Sequence, residues 1–361
     1  MRKFNTTGPC FPDEHYMLPA LDRLPGIREL VAGGNYFVVH APRQTGKTTA
    51  LQALVREINE KGDMFAIYCT LETLQGASDS NESNIAIRDL IADNAEMSPH
   101  YSAVPGAPEL RSDRGGVGLA IRTVLQNLCR AVKKPVVVFF DEADCLVGNA
   151  LISFLRQLRD GYVNRKMIPF PTSIALVGML DVRDYKAQIR HDGESLGQIS
   201  PFNIIAEDML IPNFIESDIR TLYAQHTAET GQVFADGVVE DVWRLTRGQP
   251  WLVNAIACEC VEEIHGFRYN ETITVADVEA AKEVIIRENP IHLDYLFDMV
   301  NSPWVRPYFD ACLQGTVTEE MRCNKQFKFL HYLGFLREEE GHFDFANRLY
   351  KDYWNKRTTG I

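Results

Sequence analysis

The sequence predicts an α/β protein in which a parallel β-sheet is flanked by helices. Up to about residue 212, short apolar runs alternate with segments of helical spacing, which is typical of βαβ units. From residue 213 the pattern indicates helices only, and from residue 291 it indicates helices, a hairpin and a final helix. We therefore expect three domains, which cover residues 1–212, 213–290 and 291–361.

Five apolar or aromatic runs predict the strands of the sheet. They cover residues 36–40, 65–70, 135–140, 173–179 and 202–211. Helical spacing appears between them, over residues 48–60, 117–132 and 151–162. Residues 76–117 are rich in serine, proline and glycine, so we expect a partly mobile insertion there with one short helix over 85–95.

The second and third predicted domains differ in pattern. Helices are expected in the second over residues 216–229, 237–246, 250–264 and 275–287. The third begins with helices, which are expected over residues 291–301, 304–313 and 319–333. A hairpin over 334–345 follows, with its turn near 339–341, and a helix over 346–353 comes last. Helices, a hairpin and a helix in this order are typical of a winged-helix-like domain.

Composition and charge exclude several classes of protein. Of 361 residues, 45% are apolar and 24% are charged, which are ordinary values for a globular protein. The net charge of −12 argues against a protein that coats nucleic acid through a broad basic field. The N-terminus lacks the apolar segment of a secretory signal, and the apolar runs are far shorter than a membrane span. We expect a cytoplasmic protein whose eight cysteines are reduced.

One segment follows the first predicted strand directly and opens the first long helix. It fits the phosphate-binding pattern GxxxxGK followed by Ser or Thr, except that Ala41 replaces the first glycine. Strand, loop and helix in this order favour a P-loop over a surface turn with a chance Gly-Lys-Thr. The residues expected to bind the nucleotide are Ala41, Pro42, Arg43, Gln44, Thr45, Gly46, Lys47, Thr48 and Thr49.

Each residue type in this loop has a chemical reason. Gly46 lets the backbone pass close to the phosphates, while loop amides and the helix N-terminus point at the anion. Lys47 would bring positive charge to the β and γ phosphates, and the Thr48 hydroxyl would ligate Mg²⁺. Thr49 would lie near the α phosphate.

The strand over residues 136–140 ends in an acidic pair, Asp141 and Glu142. Asp141 is expected to hold Mg²⁺ through water, and Glu142 to orient or deprotonate the attacking water. The alternative is a strand that merely ends in two solvated carboxylates. The pair favours nucleoside triphosphate hydrolysis over a small-molecule kinase, and we find no guanine-specific NKxD-like motif.

These motifs resemble those of the AAA+/STAND-like P-loop ATPases, and most closely a bacterial AAA-like group of unknown role. The resembling stretches begin at Ala41, Phe139, Ala175, Ser200 and Gly248. The resemblance implies a P-loop NTPase fold with a helical lid and a winged-helix-like domain. It also implies ATP or ADP as the nucleotide and Mg²⁺ as the metal.

The resemblance further implies sensor residues outside the two motifs. Arg183 follows the strand that should end in a sensor, and an ion pair with Asp181 or Asp184 is the alternative. Pro250 is expected near the adenine, although proline also begins a helix well. Arg247 is a candidate second sensor.

Two further sets of candidates follow from position in the chain. Phe11, Tyr16 or Met17 would cover the adenine, with plain core packing as the alternative. Arg156 or Arg159 would act as an arginine finger toward a neighbouring subunit, although a solvated helix face is favoured.

The C-terminal region resembles winged-helix modules that bind DNA or pack against an ATPase domain. Arg322, Lys325 and Lys328 form a basic stripe, but the carboxylates of residues 338–340 would repel phosphate from the predicted wing. We therefore favour a protein contact over DNA for this region, and we expect no membrane partner.

The main prediction is an ATPase in which Lys47, Thr48, Asp141 and Glu142 surround Mg·ATP and hydrolysis moves the lid and the winged-helix-like domain. One alternative is a regulatory switch that binds nucleotide tightly and turns over slowly. Another is a DNA-associated ATPase similar to archaeal origin-binding ATPases. A pure interaction scaffold would need a dead P-loop, which residues 41–49 do not indicate. An oligomer is compatible with each of these predictions.

Overall fold

The computed structural model describes residues 1–103, 109–111, 115–179, 204–288 and 290–359. The chain divides into two compact units. The sheet unit contains Leu21–Ala41 and Ala50–Ile211, and the helical unit contains Met1–Ala20, Pro42–Thr49 and Pro212–Ile361. The division into three domains stays a prediction.

The sheet unit is built on five parallel strands in the order β2-β3-β4-β1-β5. Every residue of β3 and β4 is buried, as expected for parallel strands whose two faces are both covered. The α/β class and all five predicted strands are thereby confirmed. The bounds are Tyr36–His40 for β1, Phe65–Thr70 for β2, Val136–Asp141 for β3, Ser173–Gly178 for β4 and Ile205–Leu210 for β5.

Helices connect and flank these strands. The longest helix between β2 and β3, α3, packs against α5 and α6 as well as against β2. Their bounds are Ile27–Ala32 for α1, Lys47–Lys61 for α2, Ser80–Glu96 for α3, Pro99–Ser102 for α4, Ala120–Val132 for α5 and Gly148–Asn164 for α6.

Helix α3 departs from the short helix predicted over residues 85–95. It starts five residues earlier, at Ser80, because the Asp79 carboxylate accepts hydrogen bonds from the amides of Asn81 and Glu82. The Ile87 and Ile91 side chains are fully buried. The segment predicted as a loose insertion therefore contributes a helix to the core of the sheet unit.

The helical unit carries the predicted helices and the hairpin. Helix α9 continues into a π-helical turn over Glu259–Ile264. The bounds are Glu216–Thr230 for α7, Val238–Thr246 for α8, Pro250–Cys258 for α9, Val275–Glu288 for α10, Ile291–Asn301 for α11, Arg306–Gln314 for α12, Glu319–Cys323 for α13, Lys325–Leu333 for α14, Leu336–Glu339 for β6, His342–Phe345 for β7 and Arg348–Thr359 for α15.

The single helix predicted over residues 319–333 is wrong. Asn324 has an extended conformation, with ψ near 144°, and separates α13 from α14. Its side-chain amide donates to the Tyr308 hydroxyl at 3.2 Å. The predicted basic stripe is therefore split between two helices, with Arg322 on the first and Lys325 and Lys328 on the second.

The hairpin of the C-terminal region is confirmed. Strands β6 and β7 pair antiparallel, with Glu339 opposite His342. Glu340 and Gly341 both have positive φ, of 50° and 82°, which is the geometry of a two-residue type I′ turn. The assignment of this region as a winged helix stays a prediction.

All eight cysteines are free, as predicted. Burial raises the pKa of the Cys129 thiol to about 12, which makes it a packing residue and not a nucleophile. Among the helices of the described residues, none has the length and apolar character that a membrane span requires.

Candidate functional site

The predicted phosphate-binding loop leaves the sheet at the carboxyl end of β1. Ala41 is buried, and its amide extends the strand ladder by donating to the Gly178 carbonyl at 3.3 Å. The positive φ values of the loop fall on Gln44 (59°) and Gly46 (91°) and not on Ala41. This explains why alanine is tolerated in place of the first glycine of the pattern, whereas Gly46 suits a backbone that other residues avoid.

The loop closes around the carbonyl oxygen of Pro42. The Lys47 ammonium donates to this oxygen at 3.1 Å, and the Thr45 hydroxyl donates to it at 2.9 Å. Helix α2 begins at Lys47, so the backbone amides of its first turn lie at the end of the loop. Amides at a helix N-terminus and a lysine on one short loop form an arrangement suited to an anion such as phosphate.

Two residues of the helical unit that the sequence did not single out contact this loop. The Arg43 guanidinium lies 4.5 Å from the centre of the Tyr295 ring, a cation–π contact. Gly334 lies so close to Pro42 that a Cβ at that glycine would come within 2.6 Å of the Pro42 ring. Both partners belong to the C-terminal region, after residue 290.

Residues near the N-terminus and in the predicted lid also contact the loop. The Cys10 amide donates to the Thr49 hydroxyl at 3.0 Å. The Gln249 side chain donates to the Gln44 carbonyl at 3.4 Å. No pattern in the sequence pairs Cys10 with Thr49, because the contact joins segments far apart in the chain.

The acidic residue of the second motif ends β3 and is 1% exposed. One carboxylate oxygen of Asp141 accepts a hydrogen bond from the Tyr68 hydroxyl at 2.8 Å. The other accepts from the Glu142 amide at 3.0 Å. The sequence did not indicate this contact of Tyr68, because the pattern around position 68 indicates only an apolar strand.

The turn after Asp141 has an unusual backbone. Glu142 has φ 52° and ψ 41°, a left-handed conformation that costs a non-glycine residue roughly 1–2 kcal/mol. Two residues later, the Asp144 carboxylate accepts from the Met179 amide at 2.9 Å. This bond attaches the turn to the end of β4, the strand that lies between β1 and β3.

The strands that precede the two motifs end at one edge of the sheet. All five strands are parallel, so His40, Asp141 and Gly178 end their strands at the same carboxyl edge. In α/β sheets with this architecture, ligands bind outside the carboxyl ends of the strands. A further pair at this edge is His40 and Asp208, whose Nδ1 and Oδ1 atoms are 2.6 Å apart.

The donor atoms fit Mg²⁺. Magnesium prefers oxygen ligands and is held by one or two carboxylates together with water and substrate phosphates. Within the sheet unit, Asp141 offers a buried carboxylate of the kind that Mg²⁺ prefers. Among the described residues there is no group of three or more His, Cys, Asp or Glu side chains that would make a dedicated metal cage.

Pro250 begins helix α9, as the helix-start alternative predicted. The preceding Gln249 side chain caps this helix by accepting from the Leu252 amide at 2.7 Å. Gly248 has φ 71°, and a Cβ there would lie 1.8 Å from the Phe214 carbonyl oxygen. Each residue of the Gly-Gln-Pro string therefore serves the local structure: the glycine allows a close approach, the glutamine caps the helix and the proline begins it. A role of Pro250 near the adenine stays a prediction.

Several other predicted residues are placed by the structure. Tyr16 is 1% exposed and packs on Phe4 with ring centres 4.9 Å apart, so it belongs to the core of the helical unit. Burial raises its pKa to about 12. Arg156 and Arg247 are exposed. Arg183 lies outside the described residues.

The predicted basic stripe and the predicted acidic wing contact each other through an ion pair. Arg322 donates to both oxygens of the Glu338 carboxylate, at 2.7 and 3.0 Å. Glu339 pairs with Arg337 on the same strand. Glu338 and Glu339 of the predicted wing are therefore each paired with an arginine side chain.

Comparisons of sequence find no relative: no family model matches the chain, and no curated protein sequence matches it.

Comparisons of structure do find relatives. A Walker-type ATPase of Pyrococcus abyssi matches with a TM-score of 0.63 and 16% identity, over 98% of this chain and 99% of that one. The ORC1 protein of Aeropyrum pernix, in complex with DNA, has a TM-score of 0.46 and 14% identity over 96% of this chain and 95% of that one. The RuvB Holliday junction branch migration motor of Thermotoga maritima has a TM-score of 0.45 and 12% identity over 92% of each chain. At such identities the likeness shows the fold alone, and the fold that this chain shares with the Pyrococcus abyssi protein is that of a P-loop NTPase.

Proposed function

We propose that this chain binds Mg·ATP and hydrolyses it to ADP and phosphate. One observation carries the proposal. A lysine-bearing phosphate loop starts at the carboxyl end of β1, and a buried aspartate ends β3 at the same edge of one parallel sheet. A parallel sheet with these two groups at its carboxyl edge is the arrangement that P-loop enzymes use for a nucleoside triphosphate.

The roles of the residues follow from their chemistry. The amides of residues 41–49 and the Lys47 ammonium would hold the phosphates, and Thr48 with Asp141 would hold Mg²⁺. When bound, the metal neutralises charge that develops on the phosphates. Glu142 would accept a proton from the attacking water and direct that water at the γ phosphorus.

Contacts of the loop within the helical unit support a conformational role. Lys47 donates to the Pro42 carbonyl, and a bound phosphate would compete for the same ammonium. Pro42 abuts Gly334, and the next residue, Arg43, packs on Tyr295. We therefore propose that nucleotide binding and hydrolysis reposition a helical lid, residues 213–290 with Pro250 near the adenine, and a winged-helix-like domain, residues 291–361.

The test is a pair of substitutions in the full chain. Glu142→Gln should retain ATP while turnover falls by about 10²–10⁴-fold, since a general base is lost and the shape is kept. Lys47→Ala should weaken nucleotide binding itself. Glu72→Gln, on an exposed side chain, is the matched control and should behave as the wild type. Unchanged turnover in Glu142→Gln would remove that residue from the mechanism, and a wild-type chain that ignores millimolar ATP would refute the proposal.

A regulatory switch with slow turnover is the second candidate function. It is favoured by the contacts that Pro42 and Arg43 make with the C-terminal region, because such contacts would hold the loop in one state. ADP that copurifies with the chain, together with negligible steady-state hydrolysis, would support this candidate. Rapid multiple turnover would contradict it.

For the C-terminal region we propose a protein contact, with DNA as the less favoured partner. Arg322 is paired with Glu338, which lowers the positive charge available to a phosphate backbone. Salt-sensitive binding of a DNA duplex that is lost in the double substitution Lys325→Gln and Lys328→Gln would contradict this. The mass in solution with and without ATP tests whether the chain assembles with itself.

A further inference from the structure

We infer that Tyr68 is a positioning residue that orients Asp141 for Mg²⁺, an inference that rests on the proposed function. The Tyr68 hydroxyl lies 2.8 Å from Oδ2 of Asp141, and both residues belong to the sheet unit. Neither the P-loop pattern nor the acidic motif contains this tyrosine, which lies on the neighbouring strand.

The register of the sheet explains how the phenol reaches the carboxylate. On the adjacent parallel strands β2 and β3, Tyr68 lies opposite Phe139, and Asp141 follows two residues later. Side chains two residues apart on a strand share one face, so Tyr68 and Asp141 are diagonal neighbours on that face. An aromatic side chain is long enough to span such a diagonal.

Hydrogen bonds from the Tyr68 hydroxyl and the Glu142 amide fix the plane of the Asp141 carboxylate. Tyr68 donates to one oxygen and the Glu142 amide donates to the other, in a site where Asp141 is 1% exposed. A carboxylate oxygen has two lone pairs, so in general it can accept one hydrogen bond and also face a metal or its water. Partners of this kind orient metal ligands, and their loss typically lowers metal affinity about 10–100-fold.

A second tyrosine of the same sheet provides a matched comparison. The Tyr36 hydroxyl donates to the Pro171 carbonyl at 2.9 Å, so it too is a strand tyrosine that donates a hydrogen bond. Tyr36 begins β1 and therefore lies at the amino edge of the sheet, opposite the edge where Asp141 ends its strand. Removing its hydroxyl deletes a hydrogen bond of similar length without touching the proposed metal ligand.

The experiment compares Tyr68→Phe with Tyr36→Phe in the full chain. Mg²⁺ is titrated by calorimetry into protein loaded with a non-hydrolysable ATP analogue, and affinity for the analogue is measured separately in excess chelator. Tyr68→Phe should weaken Mg²⁺ binding about tenfold, while the chelator measurement stays at the wild-type value. Tyr36→Phe should match the wild type in both measurements, whatever its effect on thermal stability.

A double-substitution cycle separates positioning from a general effect on folding. In an Asp141→Asn background, adding Tyr68→Phe should change Mg²⁺ affinity no further, because the carboxylate that the phenol orients is absent. Wild-type Mg²⁺ affinity in Tyr68→Phe, or an equal loss in Tyr36→Phe, would overturn the inference while leaving the proposed function intact. A wild-type chain that binds no analogue would instead overturn the proposed function, and the inference with it.

Discussion

His292, near the start of α11, predicts a loss of stability at mildly acidic pH. It is 6% exposed, its Nε2 lies 2.9 Å from the Tyr350 hydroxyl, and its ring packs 5.3 Å from that of Trp251. Burial, assisted by the positive charge of Arg43, lowers the pKa of this imidazole from 6.5 to about 4. The folded protein therefore keeps His292 neutral under conditions in which the unfolded chain protonates it.

The size of the effect follows from the two pKa values of His292. Well above pH 6.5, His292 is neutral in both the folded and the unfolded state, so its titration leaves the free energy of unfolding unchanged. As the pH falls toward 4, the unfolded state binds a proton that the folded state excludes, and stability is lost. Between pH 7 and pH 5 the loss is about 2 kcal/mol, since one pKa unit corresponds to roughly 1.4 kcal/mol.

The assay is denaturant unfolding of the wild type and of His292→Gln at pH 7 and pH 5. The wild type should lose about 2 kcal/mol more than the variant over this range, because all other titrating groups are shared. His100→Gln, which changes an exposed histidine, is the matched control and should follow the wild type. Equal losses in the wild type and His292→Gln would refute the reasoning, as would an NMR titration of His292 with a midpoint near 6.5.

The remaining predictions concern stability and can be checked by the same unfolding measurements. Gly248→Ala should cost more than about 2 kcal/mol, because φ is 71° and the new Cβ would clash with the Phe214 carbonyl. Asp79→Ala should lower the free energy of unfolding by about 1 kcal/mol, because the α3 cap is lost. Asp79→Asn should lower it much less, because asparagine also caps helices. A double-mutant cycle on Arg322 and Glu338 should give a coupling below about 1 kcal/mol, since both side chains are about one-third exposed, and the coupling should shrink in high salt.

Most of the sheet could be predicted because parallel strands covered on both faces are continuous apolar runs. The runs at β1 and β2 match the observed strands residue for residue. Helix ends were harder to predict. The polar run before residue 85 was interpreted as loop, although Asp79 caps α3 in it, and the pattern over 319–333 gave no sign that Asn324 would be extended. Side-chain capping and single-residue breaks depend on local hydrogen bonds that periodicity does not register.

The candidate site, like the fold, could be predicted only in part from the sequence. The loop over residues 41–49 and Asp141 were predicted from the sequence as a phosphate and metal site, because that chemistry requires particular residue types at fixed spacing beside a strand, and this role stays a prediction. The order of the strands could not be found in this way. Since β4 lies between β1 and β3, its end is attached to both motifs, through Ala41 on one side and Asp144 on the other. The contact between Tyr68 and Asp141 was missed for the same reason, because it depends on which strand lies next to β3.

Gly334 illustrates how the C-terminal region is fitted to the phosphate loop. Its φ of 68° ends α14 in the left-handed conformation that favours glycine. An alanine there would also bring a Cβ within 2.6 Å of Pro42, the residue whose carbonyl accepts from Lys47. A glycine that only ended a helix would tolerate asparagine, whereas this one is constrained by the loop as well. The packing of the C-terminal region is therefore coupled to the backbone that holds the proposed phosphate-binding lysine.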